Sequence, residues 1–234
     1  MVRLVEISSL NRTSTIRAII PRCVDAPLWI ILTNNPSKVD SMTRSEEIRQ
    51  LLSLTPEAVR EKAGSKLIVI ENIDLLYKHF ANSVAEEIIL NNQKNAPTKL
   101  ILPVGPVEQY RILAKRVNDE NIKLENCWFF MMDEQCDING ATLPCDHPLS
   151  FRRVFDEAFM QRVKERHRIP AERVIFPNQE NLHRLKDRIA NEGGIDTTYG
   201  GIGIHGHLAF NEPKPNIRES DPRAMHRSRW QGKN

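Results

Sequence analysis

The sequence predicts an α/β fold, an open, mostly parallel sheet with helices on both faces. Two observations carry that prediction. From about residue 66 onward, short β-rich apolar runs alternate with segments of helical period. Each run is a few residues long and is followed by a stretch whose apolar residues recur every three or four positions, the pattern of strand, helix, strand, helix. Such alternation builds a parallel sheet covered on both sides, whose ligands sit in the crevice beyond the strand C-termini.

Taken in order, the strand candidates are KLIVI (66–70), KLILPV (99–104), NCWFFMM (126–132), RVIF (173–176) and GIDTTYGGIGI (194–204). Between the first two, Leu76, Phe80, Val84 and Ile88 recur every four residues and mark one helical face. A second stripe, Phe151, Val154, Phe155, Ala158, Phe159 and Val163, follows Ser150, a side chain suited to capping a helix N-terminus. With the strands parallel, the loops after LILPV, WFFMM and YGGIGI open at one sheet edge. The domain carrying this pattern spans 66–213. Residues 1–65 read as an N-terminal extension, in which APLWIILT is a strand candidate, SEEIRQLLSL a short helix and TPEAVREKAG a lead into the main domain. Residues 214–234 read as a basic, flexible tail.

Composition narrows the partners. Of 234 residues, 40% are hydrophobic and 27% charged, the balance of an ordinary globular protein. The formal charge is +3, but residues 214–234 hold six lysines and arginines against two acids, so the remainder is −1. That distribution argues against nucleic acid as a partner and against attraction to an anionic membrane. No run approaches the roughly 20 apolar residues of a membrane-spanning helix, and the N-terminus lacks an apolar signal region. A cytoplasmic location is expected. The last three of the four cysteines, Cys23, Cys127, Cys136 and Cys145, are spaced nine apart rather than in the short pairs of a structural zinc site, so reduced thiols are expected and neither metal nor cofactor.

The stretch GGIGIHGHLAFNEP (200–213) gathers glycines, two histidines and a carboxylate behind an apolar run. A glycine-rich turn after a strand lets the backbone approach a ligand, but no helix pattern follows Gly206, which argues against a dinucleotide fingerprint. GIGIHGHLAFNEP resembles instead the glucosamine-6-phosphate deaminase/isomerase family, whose pattern is G-[IV]-G-x-D-G-H-[IL]-A-F-N-E-P. Three further stretches agree in order: LPVGP (102–106) with the phosphate loop L-P-T-G-G-T-P, FFMMDE (129–134) with F-N-M-D-E, and DHPLSF (146–151) with E-H-P-x-S-[YF].

The resemblance implies a Rossmann-like fold and an aldose–ketose isomerisation with ammonia release from an amino-sugar phosphate, yielding fructose 6-phosphate. It implies Asp133 as the base that moves a proton from C2 to C1, a role suited to a carboxylate whose pKa burial could raise at a strand end. It implies His207 as the acid/base of ring opening and Glu212 as the carboxylate that orients it. Gly105, Glu134, Gly203, His205, Gly206 and Asn211 complete the substrate-binding set on the same basis. Relatives that assemble into rings imply a homo-oligomer.

Three departures from the family pattern bear on activity. His205 stands where the family has aspartate, so an anion that would stabilise an imidazolium at His207 is replaced by a second imidazole. Val104 and Val107 replace two threonines of the phosphate loop, and Pro106 replaces a glycine, removing two hydroxyls and one N–H. The family pattern continues beyond the point matched by Pro213, so the chain is expected to be a C-terminally truncated, divergent member with an incomplete sheet. Two other readings stay open: a catalytically silent sugar-phosphate binding or regulatory module, and a sugar-lactone hydrolase of the 6-phosphogluconolactonase type.

Overall fold

The computed structural model describes residues 2–8, 15–20 and 43–201. Residues 202–213, with His205, His207, Asn211 and Glu212, lie outside the described residues, as do the strand candidate APLWIILT and the tail 214–234.

Among the described residues, seven strands form one sheet: β1 (Val2–Ser8), β2 (Thr15–Ile20), β3 (Leu67–Ile70), β4 (Thr98–Leu102), β5 (Cys127–Met131), β6 (Val174–Ile175) and β7 (Thr197–Gly201). Their spatial order is β3-β1-β2-β7-β4-β5-β6. β2, β7, β4, β5 and β6 run parallel, while β1 pairs antiparallel with both β2 and β3. The mostly parallel α/β sheet read from the sequence is therefore present. It also takes in two strands from the N-terminal stretch that the apolar pattern did not reveal. VRLVEIS and TIRAII are short and broken by Arg3, Glu6 and Arg17, so neither stands out as an apolar run. KLIVI supplies β3, which among the described strands lies at the edge and pairs only with the antiparallel β1.

The helices follow from local signals. α1 (Arg44–Leu52) opens on Thr43, whose side chain and that of Glu46 form a capping box; α2 (Pro56–Ala63) opens on Thr55 with proline at its first turn. α3 (Ile73–Gln93) is capped by Asn72, which accepts from the Leu75 N–H at 2.9 Å. Its stripe residues Leu76, Phe80, Val84 and Ile88 are all buried. α4 (Glu108–Asp119) packs against α3. α5 (Phe151–Phe155) begins at Ser150, whose side chain accepts from Arg153 N, and then widens into a π turn over Asp156–Met160. α6 (Leu185–Asn191) ends in Gly193 and Gly194, at φ +85° and +93°, a reversal that glycine makes without steric cost and that turns the chain into β7.

One aromatic cluster binds α3, α4, α5 and β7 on one side of the sheet. Phe80 lies edge-on to Tyr110 (5.9 Å between centroids) and Tyr199 (5.0 Å), and Tyr110 lies edge-on to Phe155 (5.0 Å). Side chains alternate along β5, so Phe129 reaches Phe159 on this side while Trp128 and Phe130 stack together on the other. There Arg188 of α6 covers the Trp128 ring at 4.9 Å, which puts helices on both faces as expected.

Candidate active site at the carboxyl edge of the sheet

Because β4, β5 and β7 are parallel neighbours, their C-termini lie at the same edge of the sheet. The backbone of the loop after β5 is tied to β4: Met132 N–H donates to Leu102 O at 2.8 Å. The Met132 side chain then reaches across to β7, where a Cβ on Gly200 would stand 2.9 Å from its Cε. Glycine at 200 thus permits this close approach at the point where β7 enters the motif GGIGIHGHLAFNEP. Three of the four motif stretches begin at this edge, and the fourth, DHPLSF, is brought to it by a carboxylate.

That carboxylate is Glu134. Its Oε1 accepts from the backbone N–H of Phe151 (2.7 Å) and of Gln135 (2.8 Å); its Oε2 accepts from Arg152 N–H (2.9 Å) and the Ser150 hydroxyl (3.5 Å). Ser150 is fully buried. The stretches FFMMDE and DHPLSF are therefore joined through one side chain at the first turn of α5. An anion is favoured at that place, since unpaired helix N–H groups gather there.

Asp133 sits beside it, half-buried at the end of β5. Burial chiefly, and the neighbouring Glu134 charge in addition, push its pKa up to about 6. The fully buried Tyr110 lies close enough to feel the Asp133 charge; burial above all raises its phenol, whose O–H donates to Pro103 O and so pins α4 to the loop after β4. The carboxylate at 133 is thus poised to change protonation state near neutrality, which its ordinary range would not allow.

The loop 103–107 carries Gly105, with open space around the position a Cβ would take, and a cis Gly105–Pro106 bond. Val104 is buried in the core, so this substituted position belongs to packing. α4 starts without a side-chain cap, leaving backbone N–H groups of its first turn at the sheet edge. Arg111 pairs with Glu108 at 2.7 Å on the exposed side of α4. Gln109 is fully buried, with neither amide atom hydrogen-bonded among the described residues.

Of the site residues read from the sequence, Gly105, Asp133 and Glu134 are brought to one edge, and Gly203, His205, Gly206, His207, Asn211 and Glu212 lie outside the described residues. The sequence reading missed the Tyr110 hydroxyl and the link from Glu134 to Ser150. Ser150 did stand out as a cap, but nothing local says that a carboxylate sixteen residues earlier shares the task.

Comparison with known proteins bears on these observations. No family model matches the chain. The chain is similar to glucosamine-6-phosphate deaminases: 33% identical over 157 residues to that of Parabacteroides distasonis, and 32% over 157 and 155 residues to those of Borrelia garinii and Caenorhabditis elegans. Each alignment covers 63% of this chain and 55% of the relative, so the chain spans little more than half the length of these relatives. Among solved structures, a monomeric glucosamine-6-phosphate deaminase matches with a TM-score of 0.50 at 25% identity, covering 62% of this chain and 58% of that one.

Proposed function

Because the chain belongs to the glucosamine-6-phosphate deaminase/isomerase family, we propose that it acts on an amino-sugar phosphate, coupling aldose–ketose isomerisation to release of ammonia. One observation supports this most directly: Asp133, at the carboxyl end of β5, is a half-buried carboxylate with a pKa pushed up to about 6. Removing a proton next to a carbonyl needs a positioned base that exchanges protons near neutral pH, and this is such a group.

In the proposed sequence His207, oriented by Glu212, opens the sugar ring by proton transfer to the ring oxygen. The Asp133 carboxylate takes the C2 proton as the C1 aldehyde becomes an enolate, the same proton returns to C1, and a proton passes from the C2 nitrogen to the C1 oxygen. The resulting imine at C2 takes up one water and expels ammonia, leaving the ketose phosphate. Gly105 and the first turn of α4 face the phosphate, with Gly203, His205, Gly206 and Asn211 shaping the remainder of the site. The side chains of residues 103–107 supply no hydroxyl, and Val104 is committed to the core. That favours, as a second reading, a module that binds a sugar phosphate without turning it over.

Ammonia release from glucosamine 6-phosphate by the full chain is the decisive assay. Activity is expected to rise with pH around 6 as Asp133 ionises, and Asp133→Asn to lower it by roughly 10²–10⁴-fold while leaving sugar-phosphate affinity within a few-fold. Binding without ammonia from the folded chain between pH 5.5 and 8.5 would establish the second reading instead.

A further inference from the structure

Glu134 makes four hydrogen bonds, two of them to the backbone of the first turn of α5 and one to the Ser150 cap. A carboxylate so occupied has little accepting capacity left for a sugar hydroxyl. The cations nearest in sequence are engaged elsewhere: the Arg152 guanidinium lies over the Phe176 ring at 5.3 Å, and Arg153 pairs with Glu157 at 2.7 Å. The charge of Glu134 is consequently answered by backbone dipoles, which hold it in place without cancelling its effect on a neighbour. Among the described residues, the charge felt at Asp133 is that of Glu134 on its own loop, and the Asp133 charge is felt in turn at Tyr110 of α4.

We propose that Glu134 is a positioning residue, a clamp that ties the loop carrying Asp133 to the N-terminus of α5 and holds a negative charge next to Asp133, without contacting substrate. The inference rests on the reading of Asp133 as the base only for its catalytic consequence; the clamp itself is a matter of hydrogen bonds. It also gives a reason for FFMMDE and DHPLSF to occur in one chain, since each supplies half of the same contact.

The test compares wild type, Glu134→Gln and Glu134→Ala in the full chain. The side-chain amide of the first variant keeps one acceptor oxygen and loses the charge. Its expected signature is an Asp133 carboxyl titration, followed by carbon NMR, whose midpoint falls by roughly half a pH unit or more. Hydrogen exchange at one of the Phe151 and Arg152 amides should quicken at least threefold, and at both at least tenfold in the Ala variant. Affinity for glucosamine 6-phosphate, measured by calorimetry, should change less than threefold. Where turnover is present, kcat falls with KM unchanged, and the acidic limb of the pH profile moves down with the Asp133 midpoint.

An unchanged Asp133 midpoint together with unchanged exchange at both amides overturns the proposal. So does a tenfold loss of sugar-phosphate affinity with those two readouts unmoved, which would make Glu134 a ligand. If Glu134→Ala does not fold, Glu134→Gln alone decides by the same readouts. Titration and exchange need no turnover, so a wild-type chain that releases no ammonia removes the proposed activity and leaves the clamp standing or falling by itself.

Discussion

Asp133 shows how one carboxyl group links stability to function. Its folded pKa of about 6 exceeds the ordinary value of 3.8, so the folded state holds the proton more tightly than the unfolded chain. Its contribution to stability is fully present below about pH 4 and is lost as pH rises through about 6. At neutral pH the protein therefore carries a half-buried charge at a cost, as is common where a group is tuned for chemistry. Asp133→Asn removes that charge. It should raise the thermal midpoint by roughly 2–4 °C at pH 7.5, with the gain vanishing as the pH is lowered towards 4, measured by calorimetric melts across that range.

Among the elements, β7 matters most for function because it leads into GGIGIHGHLAFNEP. It is held in the sheet by β2 and β4 and from above by α3. Glu87 of α3 accepts from the Thr197 hydroxyl at 2.6 Å and the Tyr199 hydroxyl at 3.0 Å, and both donors are buried. Bonds to a carboxylate are stronger than neutral ones, and a buried hydroxyl left without a partner adds its own penalty. Glu87→Ala is expected to cost about 2–4 kcal/mol in urea unfolding, whereas Glu87→Gln, which keeps an acceptor, should cost about half as much or less. The loss should show first as faster amide exchange along β7, because that strand loses the tether.

At the scale of the whole sheet, the described strands end in two edges, β3 and β6. β6 is a two-residue strand, too short to recruit a partner. β3 is different: Ile68 and Val69 are 39% and 36% exposed. An apolar edge of this kind favours association. Val69→Lys should reduce concentration-dependent light scattering at least several-fold while leaving the thermal midpoint within about 2 °C. Among the described residues no helix is long and apolar enough to cross a membrane.

The helix-and-strand alternation, the parallel core of the sheet and the edge at which the motif stretches begin were all legible in the bare sequence. The physical reason is periodicity: Leu76, Phe80, Val84 and Ile88 are spaced for one helical face whatever lies against them, and an apolar run as short as KLILPV is suited to a buried strand. The helix cap at Ser150 could be read for the same local reason. Three things came only with folding. Tertiary contacts placed VRLVEIS and TIRAII in the sheet, since their pairing partners rather than their apolar pattern make them strands. They raised the Asp133 pKa to about 6, since burial and a like charge act through space. They also turned Glu134 towards the backbone of Phe151 and Arg152, seventeen and eighteen residues away, a contact that no spacing rule encodes, because the chain must fold before that carboxylate has anything to hold.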